Sequence, residues 1–198
     1  MTRVFRGLAL FALAAALTTA RPAAQTASLK GDFLKDWAQQ KDTLAKIAAA
    51  MPEDKYGFKA TPAQRSFGEH VLHVAQINVM VLQTVGAKAP APQIDMKATS
   101  KAAVIKAMND SFDYGTAILN EQTDATMAGT IQGPPWMGPS TRTRMFAFAI
   151  GHTQDTYGQM VVYLRLNGLV PPASQRPRKK VRKWEVERSQ SGWCWRWR

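Results

Sequence analysis

The sequence predicts an all-α protein, a four-helix bundle, and three observations carry that prediction. Apolar residues recur at three- and four-residue steps through four long stretches. Segments rich in Pro and Gly fall between those stretches, where they punctuate rather than continue a helix. No part of the chain reads as a strand of alternating apolar and polar residues. A body of roughly 150 residues can bury about two-thirds of its unfolded surface, enough for one domain with a core of its own.

The first 24 residues have the layout of a secretory signal peptide: Arg3 and Arg6, an apolar run from Leu8 to Leu17, then small residues suited to cleavage. The run is too short to span a bilayer comfortably. Export to a periplasmic or secreted location is therefore expected, with the folded domain at 29–174. In that domain Phe33, Leu34, Trp37, Leu44, Ile47 and Met51 mark one amphipathic helix, closed by Pro52. A loop to Arg65 carries Tyr56 and Phe58, which are expected to tuck against the bundle end. The second helix opens at Ser66-Phe67-Gly68-Glu69, with the S-x-x-E spacing of a capping box, and runs to about Val85 with almost no polar face. Gly86 to Lys97 is a connector. A third helix spans about Thr99 to Asn120, with Val104, Ile105, Met108, Phe112, Ile118 and Leu119 inward.

The connector Glu121 to Pro139 contains the run Gly-Pro-Pro-Trp-Met-Gly-Pro, which cannot be helical. The fourth helix is expected from Ser140, as its cap, to a left-handed stop at Gly168 before Pro171-Pro172. One stripe of it holds Met145, Ala149, Met160 and Tyr163, with His152 and Thr156 in the middle. A second holds Phe146, Ile150, Tyr157, Val161 and Leu164. Both connectors exceed the usual turn between antiparallel neighbours, so an up-down-up-down order is not required.

The net charge of +12 suggests nucleic acid until it is divided by segment. Residues 1–24 hold +3, residues 29–174 hold +2, and residues 175–198 hold +7. The body is nearly neutral, so nucleic acid is not its expected partner. The stretch 175–198 carries four of the six tryptophans among its cations, and we expect a disordered tail whose Trp and Arg residues suit an anionic membrane surface. Cys194 is the only cysteine, which excludes an intramolecular disulfide.

Candidate chemistry is confined to the three histidines, His70, His73 and His152. Inward histidines from facing helices can hold a metal, because two rigid rods set imidazole nitrogens at ligand distances. A core histidine hydrogen-bonded to a carbonyl is the plainer alternative. No G-x-S-x-G, phosphate-binding Gly loop or C-x-x-C pair is present. Ser66 and Ser140 are explained by capping, as is Glu69 beside His70. No catalytic residue is assigned.

The stretches RSFGEHVLHVAQIN and FAIGHTQDTYGQMVVYLRLNGLVPPAS, with AMPEDKYGFKATPAQRSF before the second helix, resemble the DinB-like family across roughly 29–174. The resemblance implies an up-down-down-up bundle and a divalent metal, nickel or zinc, held by one histidine of the second helix and an H-x-x-x-H pair of the fourth. It also implies chemistry similar to that of metal-dependent thiol transferases, acting on a small-molecule substrate whose identity it does not give. A homodimer is compatible with it. By position, His73 matches the second-helix ligand and His152 the first histidine of the pair, while Thr156 stands at the second. A threonine hydroxyl is a far poorer ligand than imidazole. Asp155, Gln159 and His70 are the nearby groups that could supplement it, and Tyr157 could donate to a bound substrate. The alternative is a non-catalytic bundle that binds a small ligand or partner at a degenerate site.

Overall fold

The computed structural model describes residues 27–175, 184–189 and 192–197. The leader expected at 1–24 lies outside the described residues. Helix α1 (Leu29–Ala50) starts where Ser28 Oγ accepts from Gly31 N at 3.0 Å, satisfying one of the orphan donors of the first turn. Helix α2 (Phe67–Leu82) has the expected capping box. Ser66 Oγ accepts from Glu69 N at 3.2 Å and Glu69 Oε2 accepts from Ser66 N at 2.6 Å. A 3₁₀ turn extends α2 through Val85 to Gly86, whose φ of 76° is the left-handed stop. Helix α3 (Lys101–Glu121) is capped by Ser100.

The connector after α3 holds more structure than the sequence reading allows. A short helix α4 (Asp124–Ala128) has its own capping box at Thr123 and Thr126. Strands β1 (Thr130–Gln132) and β2 (Pro139–Thr141) pair antiparallel, with Ile131 opposite Ser140. Three-residue strands are too short to print an alternation, which is why no strand is expected there. Their pairing also moves the start of the last long helix, α5 (Arg142–Leu166). Its cap is Thr141, not Ser140. Ser140 is in the ladder, and its Oγ donates to Gly138 O and accepts from Arg144.

A further departure lies at the end of the chain, where strands β3 (Trp184–Ser189) and β4 (Gly192–Trp197) pair antiparallel instead of lacking structure. Alternation is in fact present there: Trp184 and Val186, then Trp193, Trp195 and Trp197, fall at every second position, as a ladder favours.

Helix directions follow from the bonds at their ends. Lys30 Nζ reaches Asn120 O at 2.8 Å and Lys101 Nζ reaches Ala49 O at 2.7 Å, so α1 and α3 are antiparallel. Asn78 meets Ser111, and Glu121 accepts from Lys88 N and Ala89 N, so α2 and α3 are parallel. Arg142 Nε donates to Val85 O at 3.2 Å and Tyr163 OH to Arg65 O at 2.7 Å, so α2 and α5 are antiparallel. The order is up-down-down-up, with α1 and α2 each packed against both α3 and α5. None of the described helices is long and apolar enough to cross a membrane.

The core includes Trp37, 1% exposed, whose ring centroid lies 4.8 Å from that of Phe112 and edge-on to Phe146 at 6.2 Å. Its Nε1 donates to Phe112 O at 2.8 Å. Gly115 makes the room, since a Cβ there would stand 2.3 Å from Trp37 Cζ2. Tyr56 and Phe58 do close the bundle end: Tyr56 OH donates to Ala48 O at 2.8 Å, and Phe58 meets Tyr163 edge-on at 5.8 Å.

Candidate metal centre

Where α2 crosses α5, His73 and His152 bring their Nε2 atoms to 3.2 Å, with ring centroids 4.9 Å apart and planes at 72°. Neutral imidazole has one donor and one acceptor nitrogen, so this contact is a hydrogen bond only if one ring carries its proton on Nε2. If both carry it on Nδ1, two lone pairs face each other, and a cation between them is what reconciles them. The spacing suits that case. Two nitrogens bound at about 2.0–2.1 Å to a tetrahedral ion stand about 3.3 Å apart.

The electrostatics favour ligand-competent imidazoles. Burial lowers the His152 pKa to about 4, with the neighbouring His73 adding to the effect. Burial and then the Arg65 guanidinium lower that of His73. Both rings are thus neutral near pH 7, the form that binds a metal. Arg65 also lowers His70, after burial, and is an exposed cation beside all three rings that sequence reasoning did not single out. Only its place at the end of the loop before α2 could have signalled it.

His152 Nδ1 is buried without a hydrogen-bond partner among the described residues, as is Thr153 Oγ1, next to it in sequence. Thr156 is 2% exposed, one turn beyond His152 on the inner side of α5. Asp155 and Gln159 are on the outer side, exposed, and bonded to each other at 3.1 Å. They do not form a ligand group with the histidines, although the Asp155 carboxylate is near enough to oppose the lowering at His152 and His70. Tyr157 does not either: it lines a cleft with Asp42, Lys46, Ile47 and Pro172 on the α1 side of the helix. Glu69 is held by the Ser66 N–H, which keeps its carboxyl below the usual range, in keeping with a cap. Among the described residues no three or more of His, Cys, Asp and Glu form one ligand group. The donors that the structure brings together are therefore the two imidazoles of His73 and His152.

An aromatic run leads to the pair. Trp136, 57% exposed, lies 5.0 Å from Phe148, and Phe148 stacks on His152 at 6.2 Å with planes 22° apart. The Gly-Pro-Pro-Trp turn thus places an indole at the surface beside the site, a role its sequence does not announce.

The fold recurs in solved structures. A DinB-like protein from Bacillus cereus superposes with a TM-score of 0.61 at 21% identity, covering 72% of this chain and 95% of that one. A DinB-like protein from Bacillus subtilis gives 0.57 at 17% identity, covering 73% and 99%. An uncharacterised protein from Escherichia coli gives 0.54 at 14%, covering 71% and 95%. No curated protein matches the sequence. The family model of the DinB superfamily matches residues 36–160, a span that includes both His73 and His152, and the chain belongs to that superfamily.

Proposed function

We propose that His73 and His152 hold a divalent metal, nickel or zinc, in an exported protein that acts on a small molecule by transferase-type chemistry, a thiol being the favoured nucleophile. The observation that carries the reading is the 3.2 Å approach of two neutral Nε2 atoms across α2 and α5. Such an ion would supply Lewis acidity and lower the pKa of a bound thiol or water. The chain's own residues do the rest. Burial keeps the imidazoles unprotonated, the helices fix their separation, and Phe148 with Trp136 forms an apolar wall for the substrate body. Export rests on Arg3, Arg6 and the apolar run that follows them.

A second reading is a bundle that binds a ligand without catalysis. Thr156 in place of a third imidazole favours it. Calorimetric titration of tag-free protein with nickel and zinc separates the two. Saturable 1:1 binding that His73→Ala abolishes supports the metal reading; no binding leaves the non-catalytic bundle.

A further inference from the structure

The register of β3 against β4 sorts the tryptophans at the end of the chain. Trp184 stands opposite Trp197, Val186 opposite Trp195 and Arg188 opposite Trp193. Residues directly opposite share a face of a ladder, and every second pair along it shares that same face. These three pairs therefore make one face, composed of four tryptophans, one valine and one arginine. The alternate pairs, Glu185 with Arg196, Glu187 with Cys194 and Ser189 with Gly192, make the other. The hairpin has an apolar side and a polar side, as an antiparallel ladder with one wet face does.

The distribution of charge says what the apolar side meets. Within the strands Glu185, Glu187, Arg188 and Arg196 cancel, while the sequence just before them carries Arg176, Arg178, Lys179, Lys180, Arg182 and Lys183 with no acidic residue between. A phospholipid interface takes the two in that division, because anionic headgroups attract the cations and indoles prefer the layer beneath the headgroups. Single-stranded nucleic acid also stacks on aromatic residues, but it needs cations along the aromatic track. Arg188 alone meets that need on this face. Each strand is six residues long, short of the roughly 9–11 of a membrane-spanning strand, and two strands cannot close a barrel. A hairpin of this size lies along a bilayer rather than through it.

We propose that β3 and β4 form a docking surface for anionic phospholipid, laid flat with the tryptophan face in the headgroup layer and the face of Glu185, Glu187 and Cys194 toward water. That orientation also keeps both glutamates on the side away from the lipid charge. The inference is independent of the histidine pair.

The full chain is expected to sediment with vesicles of phosphatidylcholine and phosphatidylglycerol and not with phosphatidylcholine alone; no sedimentation with the anionic vesicles overturns the proposal. Exchanging two neighbours, Trp195→Arg with Arg196→Trp, preserves composition and charge but moves one indole to the other face. It should weaken vesicle binding roughly tenfold or more, and unchanged binding would mean that the face does not matter. Cys194 is the only cysteine, so a water-soluble maleimide reads the polar face. Its reaction should be as fast with vesicles as without them, whereas vesicles should slow the reaction of Val186→Cys carrying Cys194→Ser. Protection of Cys194 overturns the orientation. Displacement of the vesicles by a single-stranded oligonucleotide at equal phosphate concentration overturns the lipid assignment in favour of nucleic acid.

Discussion

Trp37 and His152 both sit where helices of the bundle meet, and they are treated in opposite ways. Around Trp37 each capacity is used: the ring packs on Phe112 and Phe146, the N–H has its carbonyl, and Gly115 is cut to fit. Around His152, Nδ1 and the neighbouring Thr153 Oγ1 are buried with no partner among the described residues, and His70 Nε2 is in the same condition. The division is not absolute, since Gln40 Oε1 and Asn78 Oδ1 are also unpartnered. It still separates a junction devoted to stability from a seam that holds polar capacity in reserve. An unpaired buried polar group costs about 1–3 kcal/mol, so the seam adds less to stability than the junction at Trp37 does.

The largest effect expected is at the first junction. Trp37→Ala removes the ring from a site with no slack and should cost about 3–5 kcal/mol of unfolding free energy. Gly115→Ala, which drives a methyl into the same ring, should cost about 1–3 kcal/mol. Chemical denaturation measures both. A loss under 1 kcal/mol for Trp37→Ala would mean that the junction is looser than its contacts indicate.

The second effect tests the seam. His73→Ala or His152→Ala should reduce nickel or zinc affinity at least a hundredfold, about 2.7 kcal/mol, while shifting apo stability at pH 7.5 by no more than about 1 kcal/mol. Calorimetry and denaturation on the same samples give the two numbers. Should the histidine variants lose as much stability as Trp37→Ala, the contrast between the two regions collapses.

How much of this contrast was legible differs between its two halves. The core half was plain in the sequence, because Trp37, Leu44, Phe112 and Phe146 recur at helical spacing and burial follows from periodicity. The capping box at Ser66 was equally plain, since its two residues, Ser66 and Glu69, are only three positions apart. The choice of His73 over His70 as the partner of His152 was not fixed by spacing. One turn of α2 holds both, and the choice depends on the rotation of α2 against α5, which side-chain packing sets. Thr141 displaced Ser140 as a cap because a ladder partner eleven residues earlier, Thr130, draws position 141 out of the helix. Asn78, fully buried, was hidden because one amide among Val and Ile does not disturb an apolar stripe.

The third effect is a pH dependence that belongs to the seam alone. In the folded chain the His152 pKa is pushed down to about 4, against about 6.5 when unfolded. The shifts at His70 and His73 have the same sign. The unfolded state therefore takes up protons first as pH falls. Stability from this source is complete above about pH 6.5, declines as pH drops, and is gone below about pH 4. Thermal midpoints should fall across that window in the parent chain and fall less in His152→Gln. Identical profiles would show that other groups, carboxylates in particular, set the acid limb.

The smallest effect is expected from removing the end of the chain, and it tests whether the comparison spans the whole molecule. The apolar cluster runs from Trp37 to Leu164, with its side chains buried by residues of the bundle. A chain ending at Gln175 should keep its midpoint within about a degree or two, because a 1 kcal/mol change shifts a domain of this size by only about 2–4 °C, and should bind nickel as the full chain does. What the segment adds is charge, +7 within 24 residues, interleaved with four tryptophans. Cations attract an anionic headgroup layer and indoles prefer the interface beneath it. The full chain is therefore expected to sediment with anionic vesicles, and less so as salt rises, while the shortened chain does not. A lowered midpoint would join the segment to the stable junction; vesicle binding that survives its removal would move the contact surface onto the bundle itself.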